Sequence, residues 1–569
     1  YKKNIKVQNV LSQISQKMGD TDTTIDSLKK ILLIENNNID LLSKIYKLFL
    51  TKSSLDEALE NINLILKIEK NNYEATRDKA YIHFLKKEFS EATKYIGNIS
   101  KLKDNDYFGY NIKGLISLKN NKLDIAKNYF ENAIKINKQY VDSYNNLGVC
   151  LLELEKLNEA YEVFINGYNI DTKNIKTLIN LGNVLSLQDK ILEAIKIYNQ
   201  ALNLDPNNQE ILSNIAVCYS REGRLEEAKI YYDMAIDINP HDYKLQYAYC
   251  TLQLKLNKFS NSWNLFDSRL LIEKNKIKLT SFELVKNKLF DNLKIGLKEN
   301  LLILREQGIG EEILFSSVYQ DIIKKFENIK IEADKRLVSI FKRSFEKDIF
   351  VKEGYYSNSS KISEFESVVY AGSMVKFFRK RKADFKNKKF LLARKDLIDK
   401  YKKILSSYNE KLKVGISWKS IVNIYGSLKS LSIRDFEPLF TDDRVIINLQ
   451  YGNIEEDKQY ISSQKKYLKT FDDLDLFNDI ESCMGLLKNL DLFITVSNST
   501  AHFAGALGIP TILICPKKSS TYYYWNTHDG SSIWYKNVKV LGIEISVSKT
   551  IERINKIVKG NNKFDFSNN

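Results

Sequence analysis

Two hydrophobic periods divide this chain. As far as residue 266, apolar residues recur at the three-and-four spacing of amphipathic helices; from Asn300 onward, short apolar runs of strand length alternate with helical stretches. The helical part repeats at a spacing of 34 residues. A small residue that permits close helix packing returns as Gly114, Gly148, Gly182 and Ala216, and twelve positions later come Ala126, Ala160, Ala194 and Ala228. Aromatics follow at Phe130, Phe164, Tyr198 and Tyr232, then Ala133, Gly167, Ala201 and Ala235, with Pro206 and Pro240 closing two units. This is the tetratricopeptide pattern of two antiparallel helices per repeat. The same register runs back through Ala92 and Ala58 to Thr24, so seven units are expected over residues 5–242, and it survives once more in Cys250 and Phe266.

The second period predicts two parallel sheets in series, each covered by helices. The strand candidates of the first half are NLLILR, NIKIEAD, DIFVKE, ESVVYAG and KKFLLA; those of the second are KVGISW, VIINLQY, LFITV, TILIC and VKVLGI. The expected domains are the repeats (1–242), a degenerate repeat and connector (243–298) docked on the α/β half, a first Rossmann-like domain (299–408) and a second (409–569). The expected fold is therefore an α-solenoid (tetratricopeptide superhelix) followed by a pair of Rossmann-like α/β domains with a cleft between them.

Ligands of open α/β sheets bind beyond the carboxyl ends of the strands, and the unusual residues of this half crowd those places. They are EQGIGEE after the first strand, Trp418 and Lys419 with a polar loop to Lys429, Tyr451 and Gly452, the stretch from Ser497, and the loop Pro516–Tyr535 with Tyr522 to Tyr524, Trp525, His528 and Trp534. The stretch DLFITVSNSTAHFAGALGIPTILICP reads as strand, polar turn, short helix and strand. Ser497, Asn498, Ser499 and Thr500 offer caps to a helix that carries Ala501 and His502, and such a helix start gathers free N–H groups suited to a diphosphate. An ordinary βαβ unit without a ligand explains that stretch equally well. In the repeats, Asn146, Asn180 and Asn214 share the inward-facing sixth position of three successive units, where an amide can both donate to and accept from an extended peptide backbone. Chance placement in an Asn-rich chain is the alternative.

Composition narrows the choice. A chain of 569 residues exceeds one core, and 43% hydrophobic with 28% charged residues is a globular balance. The net charge of +16 is spread without a long basic block, and no nucleic-acid reader motif occurs, so no nucleic-acid partner is expected. Five cysteines form no CxxC pair, which argues against metal and disulfide frameworks and for a reducing compartment. No stretch has the length of a membrane span and no signal-peptide pattern opens the chain. The cytoplasm is the default expectation, although residue 1 is Tyr and a preceding segment stays open.

The segments EQGIGEE, VGISWKS with Lys429 and Ser430 downstream, INLQYG and ITVSNSTAHFAGALGIPT, together with Trp263, Phe266 and Arg269 of the connector, resemble landmarks of tetratricopeptide-containing glycosyltransferases. The catalytic half of that family is similar to the ADP-heptose heptosyltransferases. The asparagine column resembles the ladder inside the superhelix of the O-linked N-acetylglucosamine transferases. The resemblance implies a GT-B-like α/β pair and an inverting, metal-independent transfer of a hexosyl- or heptosyl-type sugar from a nucleotide sugar, with no cofactor and no metal, to an acceptor, such as a protein, held by the repeats. It places the base at Glu311 and passes the sugar close to Gly308 and Gly310. The diphosphate falls to Lys429, Lys419 and the N–H groups of Ser499, Thr500, Ala501 and His502, and stacking surfaces to Trp418, Tyr451 and Trp525. For each, a structural role is the alternative: a helix-start carboxylate, a tight turn, a solvated lysine, a packed His or a core aromatic. Family members often carry Asp where this chain has Ser497, and Glu311 replaces a shorter Asp, which keeps a catalytically decayed binding scaffold in view. Asp473 and Asp475 form a DxD, but away from a strand end.

Overall fold

The computed structural model describes residues 2–102, 106–272, 285, 289, 300–356, 359–386, 388–420, 429–515, 522–525, 530–543 and 546–560. The loop 421–428, most of the connector 272–298 and most of the loop from Pro516, His528 included, lie outside the described residues. The chain forms two compact units, Tyr1–Pro206 and Asn207–Asn569.

The first unit is a run of helical pairs in the 34-residue register, from Lys2–Lys17 with Thr21–Leu32 to Ile175–Leu187 with Ile191–Leu204. Ala58, Ala92, Ala126, Ala160 and Ala194 are all fully buried. The small residue of each first helix is needed by contact: a Cβ at Gly114 would come within 2.5 Å of the Phe130 ring, and Gly148 and Gly182 abut Phe164 and Tyr198 in the same way. Asn is abundant here partly because it caps first helices: the side chains of Asn38, Asn72 and Asn174 accept N–H groups of the first turn. The turn within each pair places one residue at positive φ, at Ser53, Lys87, Asn121, Glu155 and Asp189.

The second unit opens with two further pairs, Gln209–Arg221 with Leu225–Ile238 and Tyr243–Lys255 with Phe259–Phe266, and continues into the α/β part. There the strands are β1 (Leu301–Leu304), β2 (Ile329–Ala333), β3 (Phe350–Lys352), β4 (Ser367–Tyr370), β5 (Leu412–Ser417), β6 (Arg444–Asn448), β7 (Leu468–Lys469), β8 (Leu492–Val496), β9 (Thr511–Cys515) and β10 (Val538–Gly542). They form two parallel sheets, in the orders β3-β2-β1-β4 and β10-β9-β8-β5-β6-β7. Nine of the ten expected strands are present. KKFLLA is not a strand: the N–H groups of Phe390 and Leu391 both donate to the Ala506 carbonyl, at 3.0 and 3.2 Å, so the segment crosses from one sheet region to the other along a helix end. The short β7 had no sequence signal.

The last helical pair packs on the first sheet. Trp263 is buried and its indole N–H donates to the Arg379 carbonyl at 2.8 Å, while Phe266 lies in the same core as Phe315 and Tyr523. Arg269, also buried, grips both oxygens of Glu306 at 2.8 and 2.6 Å. The connector motif therefore acts as an anchor within this unit.

Candidate functional site

In each sheet the chain runs outward from a central strand and then returns to that strand's other side, which opens a crevice at the carboxyl ends of the two neighbours. In the second sheet those neighbours are β5 and β8. Ser417 ends β5, and Asn498 lies two residues beyond β8. The Asn498 amide donates to Ser417 Oγ at 2.8 Å, and Ser417 donates to Gln450 Oε1 at 3.0 Å. Gln450 Oε1 also accepts the N–H groups of Trp418 and Lys419, at 2.9 and 2.7 Å. Three neutral side chains thus fix the ends of β5, β6 and β8 without placing a charge in the crevice.

The helix Ser499–Leu507 starts here, capped by Asn498, whose Oδ1 accepts from Ala501 N–H at 3.1 Å. The N–H groups of Ser499 and Thr500 remain among the orphan donors of the helix start, with the helix dipole behind them. The turn after β1 faces this point. A Cβ at Gly310 would stand 3.0 Å from the His502 ring and 3.8 Å from Ser499 Cα, so glycine relieves a tight contact where the two loops approach. A pocket of about 260 Å³ lies there, lined by Gly308, Arg305 and Arg336 from the first sheet and by Tyr451, Ser499 and Thr500 from the second. Tyr451 also lines an adjoining pocket of about 410 Å³ with Asn448, Gln450 and Lys458.

Glu311 and Glu312 are neighbours with different environments. Glu312 is buried and its carboxylate accepts from Arg305 Nε at 2.7 Å and from Asp334 N–H at 2.9 Å. Burial pushes its pKa up to about 7 against the pull of Arg305. Glu311, in the first turn of the helix Ile309–Ser316, is half-buried; crowding raises its pKa, and Lys429 pulls it back. Lys429 is buried, with its ammonium 4.1 Å from the centre of the Tyr522 ring, and loss of water lowers its pKa while Glu311 opposes the shift. Glu311 is thus a carboxylate of raised proton affinity that interacts with a partly desolvated cation.

Several expected site residues have other work. Trp418 is fully buried in the core behind the second sheet and offers no stacking face; its side chain points off the strand into that core. Lys419 pairs with Asp457 at 2.6 Å. Ser497 accepts the Trp525 indole N–H at 2.9 Å, and Trp525 is itself fully buried. His502 packs 4.6 Å from the Trp525 ring centre and 3.1 Å from the Tyr535 hydroxyl, and burial, with Lys429, pushes its pKa down to about 3, so the ring is neutral. Asp475 accepts N–H groups of Phe477 and Asn478, a turn cap, and Asp473 accepts from Lys400. Sequence reasoning passed over Ser417, Gln450, Arg305 and Arg336, although Gln450 sits inside INLQYG and Arg305 closes NLLILR.

In the repeats, the column asparagines bond laterally. Asn146 Nδ2 donates to Asn111 Oδ1 at 2.9 Å, and Asn180 Nδ2 to Asn145 Oδ1 at 3.2 Å, each one repeat back. One N–H of each of these two amides therefore joins neighbouring first helices. Asn214, on the helix Gln209–Arg221, is half-buried.

Tetratricopeptide-repeat family profiles match residues 109–140, 129–162 and 173–241. The helical array is built of tetratricopeptide repeats. Protein FlbA of Caulobacter vibrioides is 24% identical over 314 residues, covering 49% of this chain and 50% of that protein, so the chain spans about half the length of this curated relative. Among solved structures, YrrB, a TPR protein with an unusual peptide-binding site, is similar at 20% identity, with TM-score 0.27, over 33% of this chain and 96% of its own. The thermophilic TPR protein TTC0263 of Thermus thermophilus is similar at 20% identity, with TM-score 0.29, over 32% of this chain and 99% of its own. No helix among the described residues is long and apolar enough to cross a membrane.

Proposed function

We propose that this chain is a glycosyltransferase of GT-B architecture, which moves a sugar from a nucleotide-sugar donor to an acceptor by an inverting, metal-independent displacement. The observation that carries the proposal is the meeting of two strand-end loops, where Gly308 and Ile309 of one and Ser499 and Thr500 of the other line one pocket, together with Glu311, in the first turn of the helix Ile309–Ser316, whose pKa is raised and which interacts with Lys429. The helix start supplies N–H donors to the departing diphosphate, and Lys429 a point charge. Glu311 takes the proton of the acceptor hydroxyl as the acceptor oxygen attacks the anomeric carbon and the nucleoside diphosphate leaves. The repeats are a scaffold suited to protein binding, and in this reading they hold a protein acceptor, with Asn146, Asn180 and Asn214 as contacts.

Glu311→Gln tests the mechanism. Loss of the base is expected to reduce transfer by about 10²- to 10⁴-fold while calorimetry shows unchanged donor affinity. Full transfer by that variant would remove Glu311 from the mechanism. A second reading, a repeat scaffold whose α/β half no longer catalyses, draws on Ser497 and Lys419, since the one is committed to Trp525 and the other to Asp457. A folded protein that binds no nucleotide sugar would favour it.

A further inference from the structure

A second pocket lies at the opposite edge of the first sheet. Lys324 and Ser344 are in the last turns of the helices Tyr319–Lys325 and Val338–Phe345, which lead into the beginnings of β2 and β3. The pocket they line, of about 380 Å³, therefore opens at the strand-beginning edge, away from the strand-end crevice, and shares no residue with it. Its apolar wall is Phe385, Phe390, Leu392 and Trp534, with Phe385 and Trp534 edge to face at 4.9 Å. Its charged wall is Lys324, Arg379, Lys386, Lys388 and Lys389 against the single acid Asp321.

That acid is already taken. Asp321 accepts from Arg379 Nη1 at 2.9 Å and pairs with Lys386. Arg379 also donates to the carbonyls of Ser317 and Phe378. Lys324, Lys388 and Lys389 have no opposite charge among the described residues. Lys389 also stands near Lys488, whose pKa is lowered by loss of water and by Lys389. Like charges gathered at a concavity raise the local potential and favour an anion there. The Ser317 hydroxyl, on the same wall, is enclosed and has no hydrogen-bond partner.

We infer that this pocket binds a small organic phosphate, its phosphate on Lys324, Lys388 and Lys389 and its apolar body against Phe390 and Leu392. The volume suits a small ligand, and ammonium groups serve phosphate as point charges. The inference does not depend on the proposed transfer reaction.

Titration calorimetry of the full chain with phenyl phosphate, inorganic phosphate and phenol tests it. Saturable binding of phenyl phosphate is expected, with inorganic phosphate weaker and phenol weaker still, and added salt lowering the affinity. Lys388→Glu/Lys389→Glu is expected to weaken phenyl phosphate at least about tenfold, the scale of one charge-assisted hydrogen bond. The exposed Leu392→Ser is expected to weaken it several-fold while leaving inorganic phosphate unchanged. Equal binding of inorganic and phenyl phosphate, or binding that survives the lysine reversal but is lost in Asn498→Ala, would overturn the assignment, the latter by placing the ligand in the strand-end crevice.

Discussion

The two parallel sheets have the same kind of crevice and fill it in opposite ways. Between β1 and β4, Glu306 lies just past the end of its strand and is closed over: Arg269 holds both carboxylate oxygens, and Gly372 N–H donates to the same group at 2.6 Å. Between β5 and β8, Asn498, Ser417 and Gln450 satisfy one another and leave a helix start facing open space. Topology alone therefore does not say where a ligand goes. The first crevice has been given over to anchoring the last repeat, and the second keeps unclaimed donors.

Breaking the first crevice has the largest expected effect. Arg269→Ala removes a forked partner from a fully buried carboxylate, and also the bonds from Nη1 to the Phe266 carbonyl and to Asp267. An unpaired buried charge costs about 3–5 kcal/mol, to be read in chemical denaturation. Arg269→Lys is expected to recover only part, because an ammonium cannot reproduce the fork. A loss under about 1 kcal/mol for Arg269→Ala would mean that the crevice is sealed by other contacts.

The next effect concerns Glu312, on the helix that follows β1. Its pKa is raised from 4.5 in the unfolded chain to about 7 in the fold. The stability linked to its protonated form is complete below pH 4.5 and is lost as pH rises through 7, on the order of a few kcal/mol. Glu312→Gln is expected to flatten the dependence of stability on pH between 4.5 and 7, measured by denaturation at several pH values. A slope identical to that of the parent chain would show that Arg305 keeps Glu312 ionised throughout.

Much of this architecture is legible in the sequence, and the exceptions have physical reasons. The 34-residue register is visible because small residues must meet aromatics at fixed positions, Gly148 under Phe164 for example. Some turn positions are hidden, since Lys87 and Glu155 adopt positive φ without being turn formers by composition. KKFLLA has strand character, but its N–H groups went to a helix carbonyl rather than a ladder. Trp418 follows a strand, where successive side chains alternate faces, and nothing local tells core from crevice. Adjacent Glu311 and Glu312 are indistinguishable until Arg305, at the end of β1, and Asp334, just past β2, claim one of the two. A census of charge over the whole chain also concealed the segment 379–389, where seven of eleven residues are Lys or Arg.

The second crevice offers the smallest stability effect and the sharpest discrimination. Asn498 does two things at once: its oxygen caps the helix through Ala501 N–H, and its amide nitrogen ties β8 to Ser417. Asn498→Ala removes both and is expected to cost about 1–2 kcal/mol, the usual loss of a cap. Asn498→Asp keeps a cap of equal quality, and the Ser417 hydroxyl can turn to donate to the new carboxylate, which offsets part of the cost of a charge at this buried position, so a loss of no more than about 1–2 kcal/mol is expected. The added negative charge, however, stands at the helix start assigned to the diphosphate, where like charge opposes binding. A stable Asn498→Asp protein with nucleotide-sugar affinity reduced at least about tenfold therefore locates the anion at this helix. Undiminished affinity would move the diphosphate elsewhere and leave the two crevices differing in polarity but not in function.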